Sequence, residues 1–140
     1  MTPRSRVYRV AGLTVAGESP SLSFTVADEG DGVLVVSLGG QLDFLSASEL
    51  APRLADLQAA TCDAVVVDVS GVTFIDSTGL NALVAGAQSI QSRDAAVLVA
   101  GASKHVARVF EIVRLGETLR LESTLEDAVR AARTGRETGR

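Results

Sequence analysis

Along the first third of the chain, apolar residues come in short bursts; beyond it they settle into blocks that switch between β-branched runs and a 3.6-residue periodicity. Residues 22–28 (LSFTVAD) and 33–38 (VLVVSL) are two strand-length apolar runs separated by Glu29-Gly30-Asp31-Gly32, whose glycines accept positive φ. The pair predicts an antiparallel hairpin. Past Gly39-Gly40, Leu50, Leu54 and Leu57 recur at i, i+4, i+7, and Ser46 or Ser48 offers a capping oxygen, so a first helix is expected from there. Pro52 is expected near its first turn, where a missing N–H costs least.

Residues 64–69 (AVVVDV) form a nearly continuous β-branched run of the kind buried on both faces, and Leu80, Leu83, Val84 and Ala87 follow at helical spacing. Strand should give way to helix near Ser77. The alternation repeats with 95–100 and then Val106, Val109, Phe110 and Val113, with Gly116 as the expected C-terminal cap. A short strand at 118–122 and a helix through Leu125, Ala128, Val129 and Ala132 complete the pattern, with Ser123-Thr124-Leu125-Glu126 at capping-box spacing. The order β-β-α-β-α-β-α-β-α, with connections of a few residues, implies an α/β domain. Its sheet should be mixed but mostly parallel, opened by an N-terminal β-hairpin and packed by about four helices.

Size fits one domain: 140 residues, 46 % of them hydrophobic, suffice for a single buried core. The expected division is an N-terminal extension over 1–21, the domain over 22–133 and a polar, frayed tail over 134–140. Arg4, Arg6 and Arg9 before Val10 faintly imitate a signal peptide, but Gly12, Thr14 and Gly17 interrupt the apolar part, so a cytoplasmic protein is expected. No run approaches the roughly 20 apolar residues that span a bilayer, which argues against direct membrane insertion.

A net charge of −4 without long basic runs offers a nucleic-acid backbone no electrostatic footprint. The lone Cys62 excludes an internal disulfide and a Cys-rich metal site, and is expected to be a small apolar filler. Neither a G-x-x-x-x-G-K-[ST] loop nor a G-x-G-x-x-G turn is present, so no cofactor is expected.

In a parallel sheet with right-handed crossovers, the loops after successive strands emerge on one edge. That edge should collect Gly39 to Asp43, then Ile75 to Gly79, then Gly101, Ser103, Lys104 and His105. Asp76-Ser77-Thr78-Gly79-Leu80 places a carboxylate and two hydroxyls at a helix start. As a structural feature this is a helix cap; as a functional one, Ser77 is an exposed hydroxyl whose phosphorylated form would sit among helix N–H groups.

Together with Val65-Val66-Val67-Asp68-Val69-Ser70-Gly71-Val72 upstream, this segment resembles the signature of STAS domains in bacterial anti-sigma factor antagonists. Gly39-Gly40-Gln41-Leu42-Asp43 and the Ser48-Glu49-Leu50 helix resemble the same family's first loop and helix. The resemblance runs from about Leu22 to Ala132 and implies a single-domain STAS-like fold. It further implies a regulator, not an enzyme, that binds an anti-sigma factor with serine kinase activity, is switched off when Ser77 is phosphorylated and is restored by a phosphoserine phosphatase. By the same resemblance Asp43, Asp76, Ser77, Thr78 and Gly79 form the partner surface, with Thr78 a second hydroxyl beside the acceptor. Asp43→Ala is then expected to weaken partner binding while leaving thermal stability nearly unchanged.

Two other functions compete. A STAS unit can also be an accessory part of a membrane transporter or a larger signalling assembly, with the same fold. A serine hydrolase would use Ser77 as nucleophile, His105 as base and Asp43 as orienter. No G-x-S-x-G elbow surrounds Ser77 to support that triad.

Overall fold

The computed structural model describes residues 6–8, 22–57 and 62–137. Among the described residues six strands form one sheet in the order β1-β2-β3-β4-β5-β6: β1 Arg6–Tyr8, β2 Leu22–Asp28, β3 Val33–Leu42, β4 Ala64–Ile75, β5 Ala96–Ala100 and β6 Arg120–Glu122. The first three pair antiparallel and β3 to β6 pair parallel. Helices α1 Phe44–Asp56, α2 Ser77–Gln91 and α3 Lys104–Ile112 are the crossovers, and α4 Leu125–Glu137 follows the last strand.

The central strands read as continuous apolar runs because both of their faces are buried. Val36, Val65, Val67, Val97 and Val99 point to one side, where they pack with Leu50 and Leu54 of α1, Leu83 and Ala87 of α2, and Val106 and Phe110 of α3. The alternate residues Val33, Val35, Val66, Leu98 and Ala100 point to the other, against Ala128 and Ala132 of α4. Arg133 of α4 hydrogen-bonds the Glu29 carbonyl and pairs with Asp31 at 3.4 Å, fastening that helix to the β2–β3 hairpin.

Several boundaries differ from the sequence expectation. β3 and β4 run to Leu42 and Ile75, well past the expected strand ends, because they stay paired along their full length. Gly39 is therefore inside a strand, where its backbone lies against Gly71 of β4: a Cβ on Gly71 would come within 3.2 Å of the Gly39 Cα. With β3 extended, α1 starts earlier, at Phe44. Its cap is Asp43, and neither Ser46 nor Ser48.

Pro52 consequently falls inside α1 and not at its first turn. α3 ends at Ile112 with Val113 as its C-cap, and the chain reverses through Arg114 in the left-handed region (φ 57°), so Gly116, within a 3-10 turn over Leu115–Glu117, is not the cap. At α4 the capping oxygen is Thr124 Oγ1, which accepts the Asp127 N–H at 3.1 Å. Helix α4 continues through Glu137, into the segment expected to be tail. β1 pairs Val7 with Ala27, adding a strand within the expected extension. The signal-like stretch around Val10 and the last three residues lie outside the described residues.

Candidate functional site

Leu42 of β3 and Ile75 of β4 are register partners, so the chain leaves both strands at the same height. One residue later, each connection caps a helix. Asp43 and Asp76 both have extended backbone, the geometry of an N-cap. The Asp43 Oδ1 accepts the N–H groups of Leu45 at 3.0 Å and Ser46 at 3.1 Å. In return Ser46 Oγ accepts the Asp43 N–H at 3.0 Å and donates to the Gln41 carbonyl at 2.8 Å. This is a reciprocal capping box with serine in place of the usual Glu or Gln. It also explains why Ser46 tolerates complete burial.

At the second junction, Asp76 Oδ1 accepts the Gly79 N–H at 2.8 Å, while the Asp76 N–H donates to the Leu42 carbonyl at 3.2 Å. Gly79 lies on that same carbonyl so closely that a Cβ would collide with the Leu42 oxygen. The two first turns are thus locked together across the Leu42 peptide. Ser77 and Thr78, the first two residues of α2, sit above this lock with exposed side chains. Their N–H groups precede the first i to i−4 bond, from Leu80 N–H to the Asp76 carbonyl.

The structure therefore brings Asp43, Asp76, Ser77, Thr78 and Gly79 to one edge of the sheet. It gives three of them internal work: both aspartates hold helix starts, and Gly79 is buried as the spacer that lets α2 reach Leu42. Only Ser77 and Thr78 are turned out to solvent without such a role.

The α3 start, with Ser103 as cap (its Oγ accepting the Val106 N–H at 3.3 Å) and Lys104 and His105 exposed, follows β5 on the same side of the sheet. Asp43 Oδ1 is taken up by the first turn of its own helix, accepting from Leu45 and Ser46. Burial first, and then the neighbouring Asp63 carboxylate, push the Cys62 thiol up from its ordinary value, which leaves it little thiolate at neutral pH. Among the described residues, no cluster of His, Cys, Asp and Glu is placed to hold a metal ion. Within the same residues no helix is long and apolar enough to cross a membrane.

The pattern of the sequence did not single out three exposed apolar residues at this edge. Phe44 and Leu45, in the first turn of α1, are 71 % and 73 % exposed, and Phe74, two residues before Asp76, is 42 % exposed. A signal was present in part. Leu45 lies nearly opposite Leu50, Leu54 and Leu57 on a 3.6-residue wheel, so it is out of phase with the buried stripe. That phase became readable only once the helix start was known.

The family model of the STAS domain matches residues 25–128. Anti-sigma-F factor antagonist RsfB of Mycobacterium tuberculosis is 38 % identical over 117 residues, covering 83 % of this chain and 93 % of that protein. Among solved structures, an anti-sigma factor antagonist from Mycobacterium paratuberculosis superposes with a TM-score of 0.70 at 30 % identity, over 81 % of this chain and 95 % of the other. A sulfate transporter family protein from Wolinella succinogenes reaches a TM-score of 0.69 at 24 % identity, over 77 % and 90 % of the two chains, a likeness of fold. With paired helix caps at the ends of two parallel strands, and a family match spanning nearly the whole sheet, this chain belongs to the STAS domain family.

Proposed function

We propose that the protein is a cytoplasmic anti-sigma factor antagonist. It binds an anti-sigma factor that is also a serine kinase, and phosphorylation of Ser77 releases it. The observation that carries this reading is the exposed Ser77 hydroxyl at the first position of α2, on a backbone fixed by Asp76 and Gly79 against Leu42. A hydroxyl offered on a rigid element reaches a partner's active site without an ordering cost. The fold alone does not choose between this role and a transporter accessory, because both kinds of protein share it. The 38 % identity with RsfB, over 93 % of that antagonist's length, favours the antagonist.

The kinase supplies ATP, and this sequence carries neither a G-x-x-x-x-G-K-[ST] loop nor a G-x-G-x-x-G turn. Ser77 Oγ bonds to the γ-phosphorus as the bond to the ADP oxygen breaks, and the hydroxyl proton passes to a base of the kinase. The product carries about −1.5 to −2 charges at neutral pH. Against a partner surface that dianion is desolvated beside Asp43 and Asp76, and repulsion of this kind costs several kcal/mol, on the order of a hundredfold or more in affinity. A phosphoserine phosphatase restores binding by hydrolysing the ester.

The test uses purified anti-sigma factors of the source organism, one at a time, with Mg-ATP and peptide mass spectrometry. One of them should phosphorylate Ser77 and lose affinity for the product. Ser77→Ala should bind it and stay unmodified. Phosphate on another residue, or undiminished binding of the Ser77-phosphorylated protein, overturns the reading.

A further inference from the structure

Exposed apolar side chains scattered singly are ordinary on a protein surface, whereas a group of them at one place marks contact with something. Of the six large apolar side chains exposed among the described residues, Phe44, Leu45 and Phe74 are at the Ser77 edge, while Ile112, Val113 and Leu121 lie at the end of α3 and on β6. The first three are close to Ser77 along the chain: Phe74 precedes it by three residues, and Phe44 and Leu45 follow Leu42, whose carbonyl accepts the Asp76 N–H. Phe44 and Leu45 open α1, whose cap touches Gly79, and Phe74 sits beside Gln41 at the top of β4, opposite in facing to the buried Ile75. Phe44 and Leu45 thus lie with α1 on one face of the sheet and Phe74 faces the other, at the end of the sheet where Ser77 opens α2.

We propose that Phe44, Leu45 and Phe74 are the anchors by which this protein docks on its anti-sigma factor, in an apolar recess bordered by basic side chains. This rests on the functional reading above. A kinase that reaches Ser77 must cover the surface around it, and a standard interface occupies roughly 800 Å² per partner, enough to take in adjoining first turns. Aromatic residues at the centre of such a footprint carry a disproportionate share of affinity. The charges at the first turns of α1 and α2 argue for the sign of the recess and against a second copy of this chain seated on them, while Lys104 and His105 belong to the neighbouring α3 start. Neither α1 nor α2 has an acidic residue in its first turn beyond the caps Asp43 and Asp76, and nothing basic accompanies them there. Two such pairs of first turns face to face would set carboxylates against carboxylates.

The anchors are untouched by phosphorylation, so the switch works by adding a repulsive group to an attractive surface, not by dismantling it. They also act on binding and not on the phosphoryl transfer itself. Phe44→Ala, Leu45→Ala and Phe74→Ala should each raise the KM for phosphorylation, and the Kd for the nucleotide-loaded anti-sigma factor, at least tenfold. The kcat at saturation and the melting temperature should stay as in the parent protein.

The full-length protein and the anti-sigma factor that binds it in the preceding experiment serve for the measurement. If no anti-sigma factor binds the parent protein, the functional reading fails and takes this inference with it. If the parent binds and all three variants bind equally well, the inference alone is overturned. It is overturned also if sedimentation shows the parent protein to be a dimer that Phe44→Ala dissociates, since the patch would then be covered by a second copy.

Discussion

Gly79 and Asp43, expected at a partner surface, each make a contact within the fold as well. Gly79 has no room for a methyl group because the Leu42 carbonyl occupies the place of its Cβ. Backbone cannot swing aside as a flexible side chain can, so α2 must shift as a unit. Gly79→Ala should therefore destabilise by about 1–3 kcal/mol, as overpacking does elsewhere, and a urea titration at constant m-value would register it. Unchanged stability would show that α2 is not seated on Leu42.

Asp43→Ala removes two accepted hydrogen bonds and the capping box, so it should cost about 1 kcal/mol, against the sequence expectation of near-neutral stability. Asp43→Asn keeps an accepting oxygen and removes only the charge. If the Asn variant is as stable as the parent but binds the anti-sigma factor differently, the carboxylate has a role at the interface beyond its cap. Equal affinity would confine Asp43 to holding α1. None of this was legible in the sequence. The motif supplies the residue types, but whether Leu42 or a partner lies across from Gly79 depends on how two strands register.

At the level of elements, what the sequence made legible followed from periodicity, and what it hid followed from pairing. The helical spacing of Leu50, Leu54 and Leu57, or of Val106 and Phe110, is a local consequence of which side is buried, and helices do run through both stretches, though their ends differ. Gly39-Gly40 read as a strand end because glycine is a poor strand former. Pairing with β4 overrides that preference. It holds both glycines in β3, with Gly40 at φ +96° beside a register shift. A strand that runs on to Leu42 brings the start of α1 forward to Phe44, and Pro52 then lies inside the helix.

Arg114 is a similar case at the end of α3. The chain reverses in the left-handed region on an arginine, although a glycine lies two residues further on. Its side chain is exposed, and its pairing with Glu117 at 3.6 Å is open to solvent, which makes that pair a weak compensation. Arg114→Gly should remove the strain and stabilise the protein by about 0.5–1 kcal/mol, visible as a higher melting temperature. A lower one would mean that the arginine side chain contributes more than its conformation costs.

For the whole molecule, the decisive property is that Ser77 is exposed and outside both cores. The two apolar clusters lie between the sheet and its helices, and the site stands where the strands have already handed over to α1 and α2. Phosphate at Ser77 adds charge next to Asp43 and Asp76, and each exposed like-charge contact in water costs on the order of 1 kcal/mol. Against this, the amino ends of α1 and α2 carry partial positive charge, worth about 0.3–1 kcal/mol per helix for an anion near the first turn. The opposing terms are of similar size, so phosphorylation should change the stability by no more than about 1 kcal/mol, or a few degrees in melting temperature for a domain of this length. Any loss that remains should shrink as salt rises through 0.1 M, where screening is effective within about 10 Å. Parallel thermal scans of the phosphorylated and unphosphorylated protein at two salt concentrations test this. A fall of ten degrees or more would mean that the phosphate breaks the lock at Leu42, and the release of the partner would then follow from local unfolding of α1 and α2 and not from repulsion across an intact surface.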